Sequence, residues 1–237
     1  MGRKIPADLL RHLSFAVVGG FFGAYALLSF HGLFGNAQTV NLLHTLFDAL
    51  NGDLAALALH LLALVCYVVG VSAAVLLKEK YHKDTARISP LLTTACAVVL
   101  YLLPEDLPMT VYLYPIFLAM SFQWTAFSGA CGFNSATIFS TNNTKQASIG
   151  FARYLCDGDR SHLKRTRFFC ATLLFFHIGA AMAVLSLQWA ADYAALLVLP
   201  WCGLSYLAVV HEQRAFAEEQ SPAEEQLPIA EFPAADL

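Results

Sequence analysis

GNAQTVNLLHTLFDALNGD, residues 35–53, follows a long apolar run and decides how the whole chain is read. Val40, Leu43, Phe47 and Leu50 recur on a helical period, while Asn41, His44, Thr45 and Asp48 fall at i, i+3, i+4 and i+7 on another face. The spacing predicts an amphipathic half-helix that begins after a break at Gly35-Asn36. What precedes it is apolar enough to cross a bilayer. The stretch is therefore either an interruption dipping into the membrane or a connector lying flat at its surface, and the residues leave both open.

The chain as a whole settles the solvent. It is 58% hydrophobic and 13% charged, against roughly 45–50% apolar and about 25% charged residues in soluble domains. That composition is one of an integral membrane protein. The net charge of -3 conceals an asymmetry, because Glu212, Glu218, Glu219, Glu224, Glu225, Glu231 and Asp236 crowd the C-terminal end against one base, Arg214. Residues 212–237 are rich in Pro, Glu and Ala without a sustained apolar face, so a flexible acidic tail is expected there. MGRK followed by apolar residues and Ala24-Tyr25-Ala26 has the form of a secretory signal, but the internal repeat described below needs this segment, and it is read as a retained first helix. The six cysteines lie far apart with no CxxC, which points to small core residues and not to a disulfide framework or zinc.

Charge-free stretches mark six spans: His12 to Phe47, Leu54 to Leu77, Ile88 to Pro104, Leu107 to Thr144, Phe168 to Ala191 and Tyr193 to His211. One crossing needs roughly 20 apolar residues. The first and fourth stretches are much longer, so each holds a helix and something more. All 14 Lys and Arg fall before span one, between spans two and three, between four and five, or after six. The alternate connections carry none. By the positive-inside rule both termini are cytoplasmic, and the cell membrane is the expected location.

The halves resemble one another in order, residues 12–104 against 107–211 of a single membrane domain spanning 1–211. Gly19-x-x-x-Gly23 is set against Ser128-x-x-x-Gly132, Thr39-Val40-Asn41 against Thr141-Asn142-Asn143, Asn51-Gly52-Asp53 against Asp157-Gly158-Asp159, and Gly70 against Gly179. Three spans per half make equivalent segments enter from opposite faces, an inverted repeat. The fold expected is an all-α polytopic membrane protein of about six transmembrane helices, built as two inverted three-helix repeats with broken or re-entrant segments.

The counterpart of the opening stretch, NSATIFSTNNTKQASIGFARYLCDGD, is richer still in hydroxyls and amides. Such groups cannot face lipid unpaired, since each costs several kcal/mol there. Elsewhere the polar residues are sparse. Gln123 could touch a solute, with hydrogen bonding between helices the plainer reading. His31, His60 and His177 could relay protons, but no acid lies within their spans and no metal-type spacing joins them, so structural roles are expected. There is no Walker loop, dinucleotide fingerprint, HExxH or GxSxG, and no basic, aromatic-laced patch for nucleic acid.

At GGFFGAYALLSFHGLFGNAQTVNLL the chain resembles the YoaK family, DUF1275, of small bacterial membrane proteins. That family carries a Thr-Gly-Asn motif after the first helix, often preceded by Ala-Gln; here it reads Ala37-Gln38-Thr39-Val40-Asn41, with Val40 in place of glycine. MSFQWTAF, FSTNNTKQ and YLCDGD look like its second conserved region, with Gln123 at a commonly polar position. Many members have an acid in the first helix near where this chain has Gly23, so a proton-coupling role there does not carry over. The resemblance covers roughly residues 13–210 and implies a membrane protein of about six helices and unknown function.

These readings converge on a transporter-like permease for a small polar solute, bound near Gln38, Thr39, Asn41, Gln123, Thr141, Asn142, Asn143 and Gln146, whose amides and hydroxyls supply donors and acceptors. Lys145 and Arg153 would admit an anion. The alternative is a non-transporting scaffold, assembly factor or lipid-handling protein. An enzyme is the less favoured class, and no catalytic residue, metal or cofactor is expected. Membrane lipid and the solute are the expected partners, a homo-oligomer is left open, and nucleic acid is not expected.

Overall fold

A computed structural model describes residues 5–30 and 34–220, with side chains to Glu218. His31 lies outside the described residues, as do residues 221–237 of the acidic end. Eight α-helices follow in order: α1 Ala7–Ser29, α2 Gln38–Asn51, α3 Leu54–Glu79, α4 Thr85–Leu102, α5 Met109–Ala126, α6 Thr141–Asp157, α7 Arg160–Trp189 and α8 Leu199–Gln220. The long first and fourth stretches divide as their length requires. The first yields α1 and the short α2; the fourth yields α5, a two-stranded hairpin and the short α6.

Among the described residues, five helical runs are long and apolar enough to cross a membrane: α1, α3, α4, α7 and Ala191–Glu218. The chain is an all-α, membrane-embedded protein. The remaining expected span, α5, carries Tyr112, Tyr114, Pro115 and Gln123, which lower its apolar character. It is also walled in by other helices, with Leu113, Ile116, Phe117, Met120, Phe122 and Gln123 all buried, so it need not present a lipid-compatible surface of its own. The outer helices are built the other way round. α3 exposes Leu61, Leu62, Val65, Val68, Val69 and Leu76, an apolar surface larger than water tolerates, and α2 likewise turns Leu42, Leu43, Leu46, Phe47 and Leu50 outward while burying Asn41 and Asp48.

α1 is the most enclosed helix, buried without a gap from Ser14 to Gly23. It packs on α7 and α8, whereas α5 packs on α3 and α4; α2 folds back on α3 and α6 on α7; α4 and α8 touch. Small residues set the closest approaches. A Cβ at Gly20 would lie 1.8 Å from the Phe176 carbonyl oxygen, and one at Gly179 would lie 1.9 Å from that of Val17, so α1 and α7 meet backbone to backbone. Gly70 does the same between α3 and α5, 2.5 Å from the Leu118 oxygen.

The two short helices end identically. Gly52 (φ 73°) and Gly158 (φ 70°) close α2 and α6 in the left-handed region. The next residue, Asp53 or Asp159, then accepts from Ala56 N–H (3.0 Å) or Ser161 N–H (2.8 Å) to cap α3 or α7. A tight Asx-Gly-Asp turn thus makes each short helix the first arm of a hairpin.

Three expectations shift. Ser128-x-x-x-Gly132 is not a helical small-residue motif: α5 ends at Ala126, and Gly129–Ala130 pairs with Phe133–Asn134 in a hairpin whose turn residues Cys131 and Gly132 both have positive φ. The basic stretch 160–167, expected as a connection, forms the first turns of α7. The last segment begins as a 3₁₀ run, Ala191–Val198, before α8, and α8 continues past His211 to Gln220. There the side chain of Glu212 bonds Arg11 at 2.8 Å, so the expected tail does not begin at residue 212 as a loose segment.

The described arginines that bond to other helices gather at one end. Arg11 meets Glu212, Arg87 donates to Gln213, the next residue of α8, and His12 stacks on Phe168, one turn from Arg165. Both chain ends of the described fold share this basic end.

Candidate polar cleft between the short helices

The first turns of α2 and α6 line one cleft of ≈ 740 Å³. Its polar wall is Gln38, Thr39, Ser140, Thr141, Asn142 and Lys145; its aromatic wall is Phe34, Tyr67, Trp124 and Phe139. Trp124 stands edge-on to Phe139 with centroids 4.9 Å apart. Segments a hundred residues apart in sequence therefore face a shared space. Tyr67 sets its depth, being the fourteenth of the 26 residues of α3 and so at that helix's middle.

The helix ends at the cleft are chemically open. α3, α4 and α7 are each capped by an aspartate side chain, whereas α2 starts after Ala37 and α6 after Ser140 with no side-chain cap among the described residues. Uncapped first-turn N–H groups and the positive end of the helix dipole favour an acceptor or an anion. Lys145 adds the one full charge on the described lining, and no carboxylate lines it.

Of the eight residues expected at a solute site, four lie on this cleft: Gln38, Thr39, Thr141 and Asn142. The other four sit behind or beside it. Asn41 is 3% exposed and donates to Gln38 Oε1 (2.8 Å) and the His60 carbonyl (3.1 Å). Asn143, 1% exposed, donates to the Ala136 and Phe139 carbonyls (both 2.8 Å) and accepts from Ser135 Oγ (2.9 Å). Both asparagines are spent on holding the first turn of their helix. Gln123 is fully buried and donates to Phe15 O (3.1 Å) and Thr137 Oγ1 (2.9 Å), the helix-to-helix bonding favoured from its sequence. Gln146 receives Arg165 and faces Asn142 at 3.3 Å.

Two features escaped the sequence reading. Asn36, buried completely, donates to the Gly19 carbonyl (2.8 Å) and the Ile138 carbonyl (3.0 Å), tying α1 to the linkers that precede both short helices. Gly23 leaves the room it needs, since a Cβ there would lie 2.8 Å from its amide nitrogen. The second is the partner of His60. No acid lies in its own span, but Asp48 reaches it from α2 at 2.6 Å. The clue was Asp48 seven residues beyond Asn41 on one polar face, although nothing local says that the face meets His60. His177, by contrast, is exposed and bonds only its own helix, through the Leu173 carbonyl.

A larger cavity, ≈ 810 Å³, lies at the basic end between the start of α1 and α8. It is walled by Asp8, His211, Glu212 and Glu218. The central cleft is the better candidate because two separate helix ends converge on it.

A family model described as a protein of unknown function, DUF1275, matches residues 12–210. No curated protein and no solved structure matches the chain.

Proposed function

The chain belongs to the DUF1275 family, which specifies no activity, and from its geometry we propose that it is a permease for a small polar solute held in the cleft between α2 and α6. The observation that carries this reading is the convergence of both uncapped first turns on that single space. Solute sites at interrupted helix ends, near the midplane and between repeats, are a general construction for moving polar compounds through lipid.

An inverted repeat of six crossings underlies the proposal. Exchanging α1 with α5, α2 with α6, α3 with α7 and α4 with α8 maps the principal helix pairs onto one another (α1–α7 onto α3–α5, α1–α8 onto α4–α5, α2–α3 onto α6–α7), although the slight α3–α4 contact and those of the 3₁₀ run have no counterpart; this supports two-fold related halves. The exchange also pairs Gly70 with Gly179, each pressed against a backbone carbonyl of the neighbouring helix. With the basic end in the cytoplasm by the positive-inside rule, both termini are cytoplasmic and the protein sits in the cell membrane. α2 and α6 are then re-entrant, reaching the depth of Tyr67 from opposite faces. The cleft lining, with amide and hydroxyl groups, two helix N-termini and Lys145, suits a neutral or anionic solute better than a cation. With no nucleotide motif in the chain, transport is secondary or facilitated.

The test is reconstitution of the full chain in liposomes, incubation with a broad metabolite mixture, and mass spectrometry of what is retained. One or a few polar compounds should be enriched over empty liposomes, and Thr39→Leu with Asn142→Leu should remove the enrichment. No enrichment, or enrichment unaffected by that pair, would favour a scaffold or lipid-handling protein.

A further inference from the structure

Asp48 and His60 are the described acid and base that meet inside the helical bundle away from its basic end. Asp48 Oδ2 lies 2.6 Å from His60 Nδ1, and the side chains are 12% and 10% exposed. A carboxylate oxygen only accepts, so Nδ1 holds the ring proton and Nε2 is the open basic nitrogen. In that state the pair carries a net charge of minus one in a poorly solvated site. Adding a proton at Nε2 gives imidazolium beside carboxylate and removes the net charge.

Among the described residues, the surroundings contain little else that could answer to pH. From α2, the ring of His44 stacks on His60 at 5.4 Å and is itself exposed. From α5, which has no charged residue, Tyr114 donates to the Leu59 carbonyl at 3.1 Å. On α3 itself the N-cap Asp53 is exposed and seven residues away.

A hydrogen-bonded path runs from the pair to the cleft. The His60 carbonyl accepts from Asn41, Asn41 donates also to Gln38, and Gln38 lines the cleft. Asn41 Oδ1 and Gln38 Nε2 are buried with no partner among the described residues. Those free atoms give the network the capacity for a second arrangement, which a fully satisfied network would lack.

We propose that Asp48 and His60 form a proton-binding site whose occupancy sets how α2 seats on α3, so that the protein's solute is moved in coupling with a proton. This deepens the permease reading and rests on it for the meaning of the coupling, while the site rests on its own geometry. It belongs to one half only: ten residues before Gly70 stands His60, and ten before Gly179 stands Phe169. A buried ionisable pair within a membrane bundle is costly to keep and marks ion pathways in membrane proteins generally.

The experiment needs no solute. The full chain, with its six cysteines replaced and Thr39→Cys added, is placed in lipid nanodiscs, and labelling by a membrane-impermeant maleimide is followed against pH, normalised to a free thiol. The labelling rate should differ by about fivefold or more between its acid and alkaline limits, the low end of coupling between linked sites. Asp48→Asn and His60→Gln should each abolish the difference, and His44→Phe, which keeps the stacked ring, should retain it. Nitrogen NMR of labelled histidine should show a titrating ring nitrogen that disappears in His60→Gln. If Asp48→Asn does not purify as a single species, His60→Gln decides alone. A flat response in the parent, an unchanged response in His60→Gln, or its loss in His44→Phe overturns the proposal. Because these measurements omit solute, their failure leaves the metabolite screen standing. An intact pH response beside an empty screen would instead retire the permease and keep the proton site.

Discussion

Gly179→Ala should loosen the crossing that holds the protein together. The added Cβ would sit 1.9 Å from the Val17 carbonyl oxygen and 2.7 Å from its carbonyl carbon. Ordinary van der Waals contact begins near ~3.5 Å, so α1 and α7 must part by roughly 1.5 Å at their closest point. The obstacle is backbone, which cannot rotate aside as a side chain would. Val17 also lies in the most enclosed part of α1, so the shift spreads through neighbours that are themselves buried. Overpacking typically costs about 1–3 kcal/mol, and this geometry belongs at the upper end. Against it stands the gain of alanine over glycine within a helix, about 1 kcal/mol. The net expectation is a loss of about 2 kcal/mol.

Gly203 supplies the internal control. It lies inside α8, and a Cβ there would meet nothing within 4 Å, so Gly203→Ala should raise stability by up to about 1 kcal/mol through helix propensity alone. Unfolding of the purified proteins in mixed detergent and SDS, followed by tryptophan fluorescence, should therefore separate the two variants by about 3 kcal/mol. Equal shifts for both, or a Gly179→Ala protein as stable as the parent, would refute the backbone-to-backbone crossing of α1 and α7.

Two further outcomes follow from the polar residues. Asn143→Leu strips a donor from two carbonyls and an acceptor from Ser135 in a buried site, so the same unfolding measurement should show a loss of about 3 kcal/mol or more. Asn142→Leu at the exposed neighbouring position should stay within about 0.5 kcal/mol of the parent. In the hairpin, burial and the Asp8 carboxylate raise the pKa of the Cys131 thiol. Asp8→Asn removes that negative charge, lowers the pKa and increases the thiolate fraction at a given pH. In a chain with Cys156→Ser and Cys170→Ser, iodoacetamide labelling of Cys131 should then move to lower pH. A uniform change in rate without a shift along the pH axis would instead mean that the loop had merely opened.

Some of this architecture is written in local chemistry. Charge-free runs place α3 and α4 to within three residues at either end, and α7 and α8 to within nine, because hydropathy is a property of each segment by itself. The amphipathic period of residues 40–50 announces α2, and the Asx-Gly-Asp tripeptides announce its turn and that of α6, because a left-handed glycine and an aspartate cap need no distant partner. The convergence of Gln38 and Thr39 with Thr141 and Asn142 was expected from the paired polar segments, and the described cleft brings those four together.

What tertiary structure alone decided is which polar group meets which. Asn41 and Asn143 look like solute ligands in a sequence, yet each is turned inward and occupied by carbonyls of its own surroundings. Asn36 passes as a loop residue until the Gly19 and Ile138 carbonyls are brought within reach of it. Ser128 and Gly132 have helical spacing but lie in a hairpin, where Arg11 and Asp8 of α1 bond the backbone. His60 finds its acid on a different helix. In a low-dielectric bundle an unpaired polar group is costly, and periodicity reveals only the face on which a side chain sits; the partner on the facing element is chosen by packing.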